Sequence, residues 1–164
     1  VLEFGSNVGT LTMHLAEEVG PAGVLIATEL SKRNASMVES RVHKAGHSHV
    51  SVIHDEYHLN RVHPDVTDID VVVSVGYLSL LQDIEKILSE LAAIMRPNAA
   101  VVFVEYIDYF GFIPNAGWTA RLDELKEVFS RCGFSVTITK KNGLLWNYLI
   151  VQGIKSENAD VPFI

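Results

Sequence analysis

The sequence predicts an α/β domain built on a doubly wound, mostly parallel sheet, and three features of its 164 residues carry that expectation. Short apolar runs alternate with segments of helical period almost to the end of the chain, the pattern of a parallel sheet covered by helices on both faces. The opening run VLEFGSNVGT contains an acid and passes into glycines spaced G-x-N-x-G, a strand-to-helix turn suited to a nucleotide. The last two apolar runs flank Lys141-Asn142-Gly143, and Asn-Gly between strand-like runs signals a hairpin.

Taken in order, the first strand is expected at 1–4 and a helix from Thr10 to Val19, with a turn at GPAG. A second strand covers 23–28, and a helix follows from Ser31, a suitable N-cap, to about Lys44, closed by Ala45 and Gly46. HVSVIH at 49–54 gives the third strand. IDVVVSV at 69–75 is an unbroken β-branched run, as in a strand buried on both faces, and should lie centrally. Ile84, Ile87, Leu88, Leu91 and Ile94 recur at helical spacing, and Arg96-Pro97-Asn98 should end that helix before a fifth strand at 99–106. The aromatic connection IDYFGFIPNAGW, 107–118, is long enough to suggest a functional loop, and a helix starting at or after Thr119 should stop at Cys132-Gly133. The hairpin strands make seven in all. Residues 1–155 are read as one domain and 156–164 as a surface tail.

Composition narrows the function classes. Twenty acids against thirteen bases give a formal charge of −7, and with basic residues clustered only at SKR 31–33 and KK 140–141, nucleic acid is disfavoured as a partner. No apolar run reaches the ~20 residues of a membrane span. No signal peptide is recognisable, and a single cysteine, Cys132, cannot form an internal disulfide, so a cytoplasmic location is expected. A homodimer remains open.

The chemistry concentrates at strand ends. Gly5 and Gly9 would let backbone approach a ligand closely, and Asn7, where a middle glycine is common, is the residue that next best tolerates positive φ. Glu29, twenty residues beyond Gly9 at the end of the second strand, can accept hydrogen bonds from both ribose hydroxyls. Asp55 ends the third strand within reach of an adenine amino group. An acid closing a strand is more often merely solvated; the coincidence of Glu3, Gly5, Gly9, Glu29 and Asp55 at successive strand ends is what favours a binding role.

In their order, VLEFGSNVG, ATELS, VIHDEY, DVVVSVGYLSLL and IMRPNAAVVFVEY resemble the sequence blocks of class I S-adenosylmethionine-dependent methyltransferases, in the ubiquinone/menaquinone-biosynthesis flavour. The resemblance spans essentially the whole chain and implies a Rossmann-like seven-stranded sheet with an antiparallel C-terminal hairpin strand. It implies S-adenosyl-L-methionine as cofactor, with Glu3, Gly5, Ser6, Asn7 and Gly9 lining its methionine and ribose part and Glu29 on the ribose hydroxyls. Leu30 would pack on the adenine, Asp55 and the Glu56 backbone would read its amino edge, and Ser74, Val75, Gly76 and Tyr77 would face cofactor and substrate. The chain departs from the family at Asn7 and at Pro97-Asn98-Ala99, where Pro-Gly-Gly is usual. Family members also carry helices before the first strand, whereas Val1 already lies in it; an excised piece, or a protein with an open substrate pocket, is the expectation.

Methyl transfer from a sulfonium needs alignment more than a dedicated triad. Tyr77, Glu105 and Tyr106 are the candidate catalytic residues, with Tyr109 and Trp118 as further substrate contacts; the plainer reading of these aromatics is core closure. His54 and His58 stand four apart, as in zinc-binding helices, but the segment ends a strand and no third ligand is evident, so no metal is expected. Cys132 reads as a small buried hydrophobe.

The leading expectation is therefore a methyltransferase acting on a small, apolar or aromatic methyl acceptor. An NAD-binding oxidoreductase shares the glycines and the ribose acid but fits the hairpin less well. An RNA or protein methyltransferase is a second alternative: GPAGVLIATELSKR is similar to fibrillarin-like RNA enzymes, although VVFVEYID offers no lysine for their catalytic set. A non-catalytic cofactor-binding partner subunit is the third.

Overall fold

The computed structural model describes residues 1–109, 113–114 and 121–156. Its sheet contains β1 (Leu2–Phe4), β2 (Leu25–Glu29), β3 (Val50–His54), β4 (Ile69–Val75), β5 (Met95–Tyr109), β7 (Phe134–Asn142) and β8 (Trp146–Lys155) in the order β3-β2-β1-β4-β5-β8-β7, with β6 (Ile113–Pro114) paired to the end of β5. The first five strands are mutually parallel, while β8 runs antiparallel to both β5 and β7. The order reverses between β1 and β4. A crevice opens at such a reversal, beyond the carboxyl ends of the strands.

Among the described residues, four α-helices cover the sheet: α1 (Thr10–Val19), α2 (Lys32–Ala45), α3 (Ile84–Ile94) and α4 (Leu122–Arg131). Helices α1 and α2 pack on β2 and on one another, and α3 and α4 meet each other. The helix starts are chemically marked, since Ser31 Oγ accepts from Asn34 N at 3.4 Å and Asp83 Oδ1 accepts from Lys86 N at 2.9 Å. Gly46, at φ 75°, closes α2.

The largest buried cluster joins Ile87, Leu88 and Leu91 of α3 and Leu125 and Phe129 of α4 to Leu2, Phe4, Val72, Val101 and Phe103 of the strands. Against α1 and α2 the fill is smaller: Ala16, Ala27, Ala35, Val38 and Val42 are buried. The polar alternation of β1, with Glu3 between Leu2 and Phe4, therefore sends one buried acid away from the main apolar cluster. Arg131 Nε donates to Glu85 Oε1 at 2.9 Å and ties α4 to α3 at the surface. No described helix is long and apolar enough to cross a membrane.

Two expectations shift. Arg96-Pro97-Asn98 lies inside β5, which begins directly at Met95, and the β4–β5 register slips between Ile69↔Met95 and Val71↔Ala100. Pro97 has no N–H to give a ladder and Asn98 has φ 61°, so a bulge absorbs both without ending the strand. In the final hairpin, Gly143 N donates to Trp146 O at 3.1 Å, which moves the turn onto Leu144 and Leu145, beyond Asn142-Gly143. The aromatic connection begins as an extension of β5, with Asp108 and Tyr109 paired to Pro114 and Ile113. Trp118, the Tyr109 side chain and the tail from 157 lie outside the described residues.

Phe129 packs edge-on against Phe103 at 5.6 Å and against Phe134 at 6.2 Å. Phe129→Ala should lower unfolding free energy by about 3–5 kcal/mol in urea titrations, whereas Val24→Ala, at an exposed site, should change it by under about 0.5 kcal/mol.

Candidate functional site

The β1–α1 loop is fixed by backbone bonds to the end of β2. Thr28 O accepts from both Gly5 N (3.1 Å) and Ser6 N (2.9 Å), and Gly9 N donates to Ser6 O at 2.9 Å. Three residues of this loop have positive φ: Gly5 at 89°, Asn7 at 51° and Gly9 at 81°. Asn7 thus adopts the left-handed conformation that its short amide tolerates.

Glu29 is the hub. Its carboxylate is buried, with Oε2 accepting from Asn7 N at 2.7 Å and Oε1 from Ser31 N at 2.8 Å. Its backbone carbonyl takes Asp55 N at 2.9 Å. One residue therefore joins the loops after β1, β2 and β3. Leu30 beside it is half-buried, and its carbonyl accepts from His54 Nε2 at 3.1 Å.

Asp55 is also buried, and it is not free. Oδ1 accepts from Tyr57 N at 3.0 Å and Arg61 Nη2 at 2.9 Å, and Oδ2 accepts from Arg61 Nε at 3.2 Å. Burial works against the charge, but the Arg61 guanidinium and the Tyr57 N–H outweigh it and hold the carboxyl below its usual range. The guanidinium also lies 4.8 Å from the Tyr57 ring centre. Glu56, next along, is exposed.

Glu3 faces α1, where Thr12 Oγ1 donates to its Oε2 at 2.6 Å. Burial pushes its carboxyl up to about 7, the Thr12 bond opposes this, and the negative charge of Glu29 adds to it. A cavity of about 430 Å³ opens here, lined by Glu3, Gly5, Ser6, Asn7 and α1 residues including Leu11 and His14, with Val75, Gly76 and Tyr106 opposite. Gly76, at φ 67°, suits that wall, where a Cβ would lie 3.0 Å from the Tyr106 ring. Tyr106 is braced in turn by Trp146, edge-on at 5.7 Å, and Tyr148 at 5.5 Å, and Trp146 Nε1 donates to Tyr148 OH.

Not every expected residue reaches this cavity. Ser74 spends its hydroxyl on Phe4 O at 2.6 Å, stitching β4 to β1. Glu105 is buried and turned to the backbone, accepting from Ser79 N at 2.9 Å and Tyr106 N at 2.8 Å, with its carboxyl raised by burial against those bonds. It braces the turn after β4 and does not line the cavity. Tyr77 packs against Gly5, where a Cβ would come within 2.4 Å of its ring, and does not line the cavity. Thr12, His14, Arg61 and Trp146 were not foreseen. Thr10, Leu11 and His14 share a helix face below the glycine loop, a spacing that could have revealed them; Arg61 reaches Asp55 only because turns at 55–60 fold the chain back.

His58 is fully buried between Phe4, at 4.0 Å, and Tyr77, at 4.9 Å, and its Nε2 meets Thr28 Oγ1 at 3.2 Å. Burial pushes its pKa down to about 4. His54 and His58 therefore point to different partners.

A family profile described as methyltransferase domain matches residues 2–101. A demethylmenaquinone methyltransferase of Anoxybacillus flavithermus is 28% identical over 154 residues, covering 75% of this chain and 64% of that protein, so the chain spans less than two thirds of its relative's length. The crystal structure of a SAM dependent methyltransferase from Aquifex aeolicus superposes with a TM-score of 0.75 at 18% identity, covering 94% of this chain and 80% of the other. Phosphoethanolamine N-methyltransferase 2 of Haemonchus contortus, in complex with S-adenosyl-L-methionine, gives 0.75 at 14% identity, covering 94% and 48%. At such identities the two structures establish the shared fold.

Glu3 and His58 give opposed pH dependences. Glu3 has its pKa raised from 4.5 to about 7, so stability is lost as pH rises through that window. His58 has its pKa lowered from 6.5 to about 4, so stability is lost as pH falls through that one. Between about pH 4.5 and 6.5 the slopes offset one another. Glu3→Gln should remove the first slope, gaining on wild type by on the order of 3 kcal/mol from pH 5 to pH 8 in ligand-free urea unfolding. A gap that stays constant with pH would contradict the buried, proton-holding Glu3.

Proposed function

The chain belongs to the methyltransferase-domain family, and on that premise we propose that it is an S-adenosyl-L-methionine-dependent methyltransferase acting on a small, apolar or aromatic acceptor. The observation that carries the reading is the Glu29 carboxylate, buried at the tip of β2 and fixed by two backbone N–H groups beside the point where the strand order reverses. An acid oriented in advance can accept from two ribose hydroxyls with little reorganisation.

The residues present fit this cofactor. Among the described residues, three buried side-chain atoms lack a hydrogen-bond partner, Ser6 Oγ, His58 Nδ1 and Tyr77 OH, and all belong to the strand ends around this crevice. Unmet polar groups gathered in one place favour a polar ligand there. Gly5, Asn7 and Gly9 give the amino-acid tail bare backbone, and Glu3 offers its ammonium group a carboxylate. Leu30 packs on the adenine, and Asp55 with the Glu56 N–H reads its amino edge. Asp55 then works from within its Arg61 pair.

Bound S-adenosyl-L-methionine supplies a methyl group already activated by a positive sulfur. The protein's contribution is alignment. Ser74 ties β4 to β1, Glu105 holds the turn that follows, and together they set the wall of Val75, Gly76 and Tyr106 against which the acceptor lies. Glu3, His14 and Tyr106 are the ionisable side chains on that cavity, so an acceptor that must lose a proton finds its base among them. A small acceptor is supported by the cavity's size, by its apolar lining of Val8, Leu11 and Val75, by the −7 charge that disfavours nucleic acid, and by the demethylmenaquinone relative.

Calorimetric titration should show micromolar binding of S-adenosylmethionine and S-adenosylhomocysteine and none of NADH; tight NADH binding would overturn the reading in favour of an oxidoreductase. Glu29→Ala should weaken S-adenosylhomocysteine binding by about 1–3 kcal/mol through loss of charge-assisted hydrogen bonds. Unchanged affinity in a folded variant would refute the ribose role.

A further inference from the structure

The tip of the last hairpin is apolar where folding alone favours polar residues. Gly143 N donates to Trp146 O at 3.1 Å, so Leu144 and Leu145 form the turn between β7 and β8. Tight turns prefer glycine, asparagine, aspartate and serine, whose backbones or side chains suit the bend. Leucine brings no such advantage. Leu144 is 99% exposed and Leu145 49%, so the core gains little from either.

The chain just behind the tip is basic and aromatic. Residues 140–148, KKNGLLWNY, hold two lysines and no acid, against a charge of −7 for the whole sequence. Lys140 and Lys141 are exposed, and among the described residues neither enters an ion pair. Asp108, the acid opposite Asn147 on β5, accepts from that residue's amide at 2.8 Å. At roughly 3.3 Å per residue the lysines stand on the order of 10 Å behind Leu144. Apolar side chains at a membrane surface enter it by about 5–10 Å, which puts those ammonium groups at the level of the lipid headgroups. Trp146, whose indole N–H donates to the Tyr148 hydroxyl, forms with it the kind of amphipathic aromatic pair favoured at that same level.

A protein partner fits this surface less well. A stable interface buries about 800 Å² on each side and is depleted in lysine, whereas here two leucines project from a narrow turn. A bilayer asks for no matching shape. The overall negative charge opposes approach to anionic lipid only within about 8–10 Å in physiological salt, so the charges nearest the tip decide the sign.

We propose that the β7–β8 tip is a membrane-contact element, with Leu144 and Leu145 entering an anionic lipid surface and Lys140 and Lys141 meeting its headgroups. Trp146 and Tyr148 brace Tyr106 on the cavity wall, so the contact holds the acceptor cavity beside the bilayer, where an apolar acceptor is dissolved. That last link rests on the proposed reading of the cavity; the lipid contact itself does not.

Co-sedimentation of the 164-residue chain with vesicles tests it. Wild type should bind vesicles of equimolar phosphatidylcholine and phosphatidylserine, and pure phosphatidylcholine more weakly. Leu144→Ser combined with Leu145→Ser should lose about tenfold or more on both, at an unchanged urea midpoint. Lys140→Gln combined with Lys141→Gln should lose about tenfold on the anionic vesicles alone, together with most of the salt dependence. Wild type that stays in the supernatant with anionic vesicles overturns the inference, as does a leucine variant that binds like wild type. Self-association in lipid-free ultracentrifugation that the leucine variant abolishes also overturns it, and assigns the tip to a second copy of the chain. Vesicle binding without S-adenosylhomocysteine binding upholds the lipid contact and removes its link to methyl transfer; cofactor binding without vesicle binding removes the lipid contact alone.

Discussion

One carboxylate organises the carboxyl edge of the sheet. Glu29 takes an N–H from the loop after β1 on one oxygen and from the loop after β2 on the other, while its own carbonyl anchors the start of the loop after β3. Charge-assisted bonds of this kind are stronger than neutral ones, and burial keeps water from competing for them. Three loops that would otherwise move independently are therefore positioned relative to one another before any ligand arrives. Thr28, one residue earlier, adds the bonds to Gly5 and Ser6 that press the glycine loop onto the strand tip.

The same edge gathers buried polar groups whose burial opposes folding. Glu3 is pushed towards neutrality by burial, His58 is held uncharged, and Ser6, His58 and Tyr77 keep polar atoms unmet. Each of these lowers the stability of the ligand-free chain. The offset lies behind the sheet, where Phe103, Phe129 and the leucines of α3 form the dense part of the core. A stable apolar layer on one side and a costly polar rim at the strand ends is the arrangement expected where binding sites are built at the expense of local stability.

The sheet was legible because its signals are periodic and local. The β-branched run of β4 sits centrally as its composition requires, and the apolar spacing of α3 fixes which face is buried. Glu29 and Asn7 could be read because a positive-φ turn and a strand-ending acid restrict the residue type. The bulge at Pro97-Asn98 was not legible, since a turn and a bulge use the same residues and only pairing with β4 decides between them. Leu144-Leu145 replaced Asn-Gly as the hairpin turn for a related reason: the register of β7 on β8 carries Asn142 into the ladder opposite Asn147. Glu105 and Arg61 were misread or missed because their roles are set by partners 26 and 6 residues away, and no local pattern encodes such a contact.

On the acceptor side, Tyr106 stands on the bare backbone of Gly76 and is backed by Trp146 and Tyr148 of β8, so that strand supports the cavity wall as well as the sheet. The account as a whole requires the adenosyl group to lie across the tips of β1, β2 and β3, with its sulfur towards β4. A crystal structure with S-adenosylhomocysteine measures this directly. The ribose hydroxyls should be within hydrogen-bond distance of Glu29, with the sulfur facing the cavity between Glu3 and Tyr106. A nucleoside bound elsewhere, or a ribose that leaves Glu29 bonded to Asn7 and Ser31 alone, would contradict it.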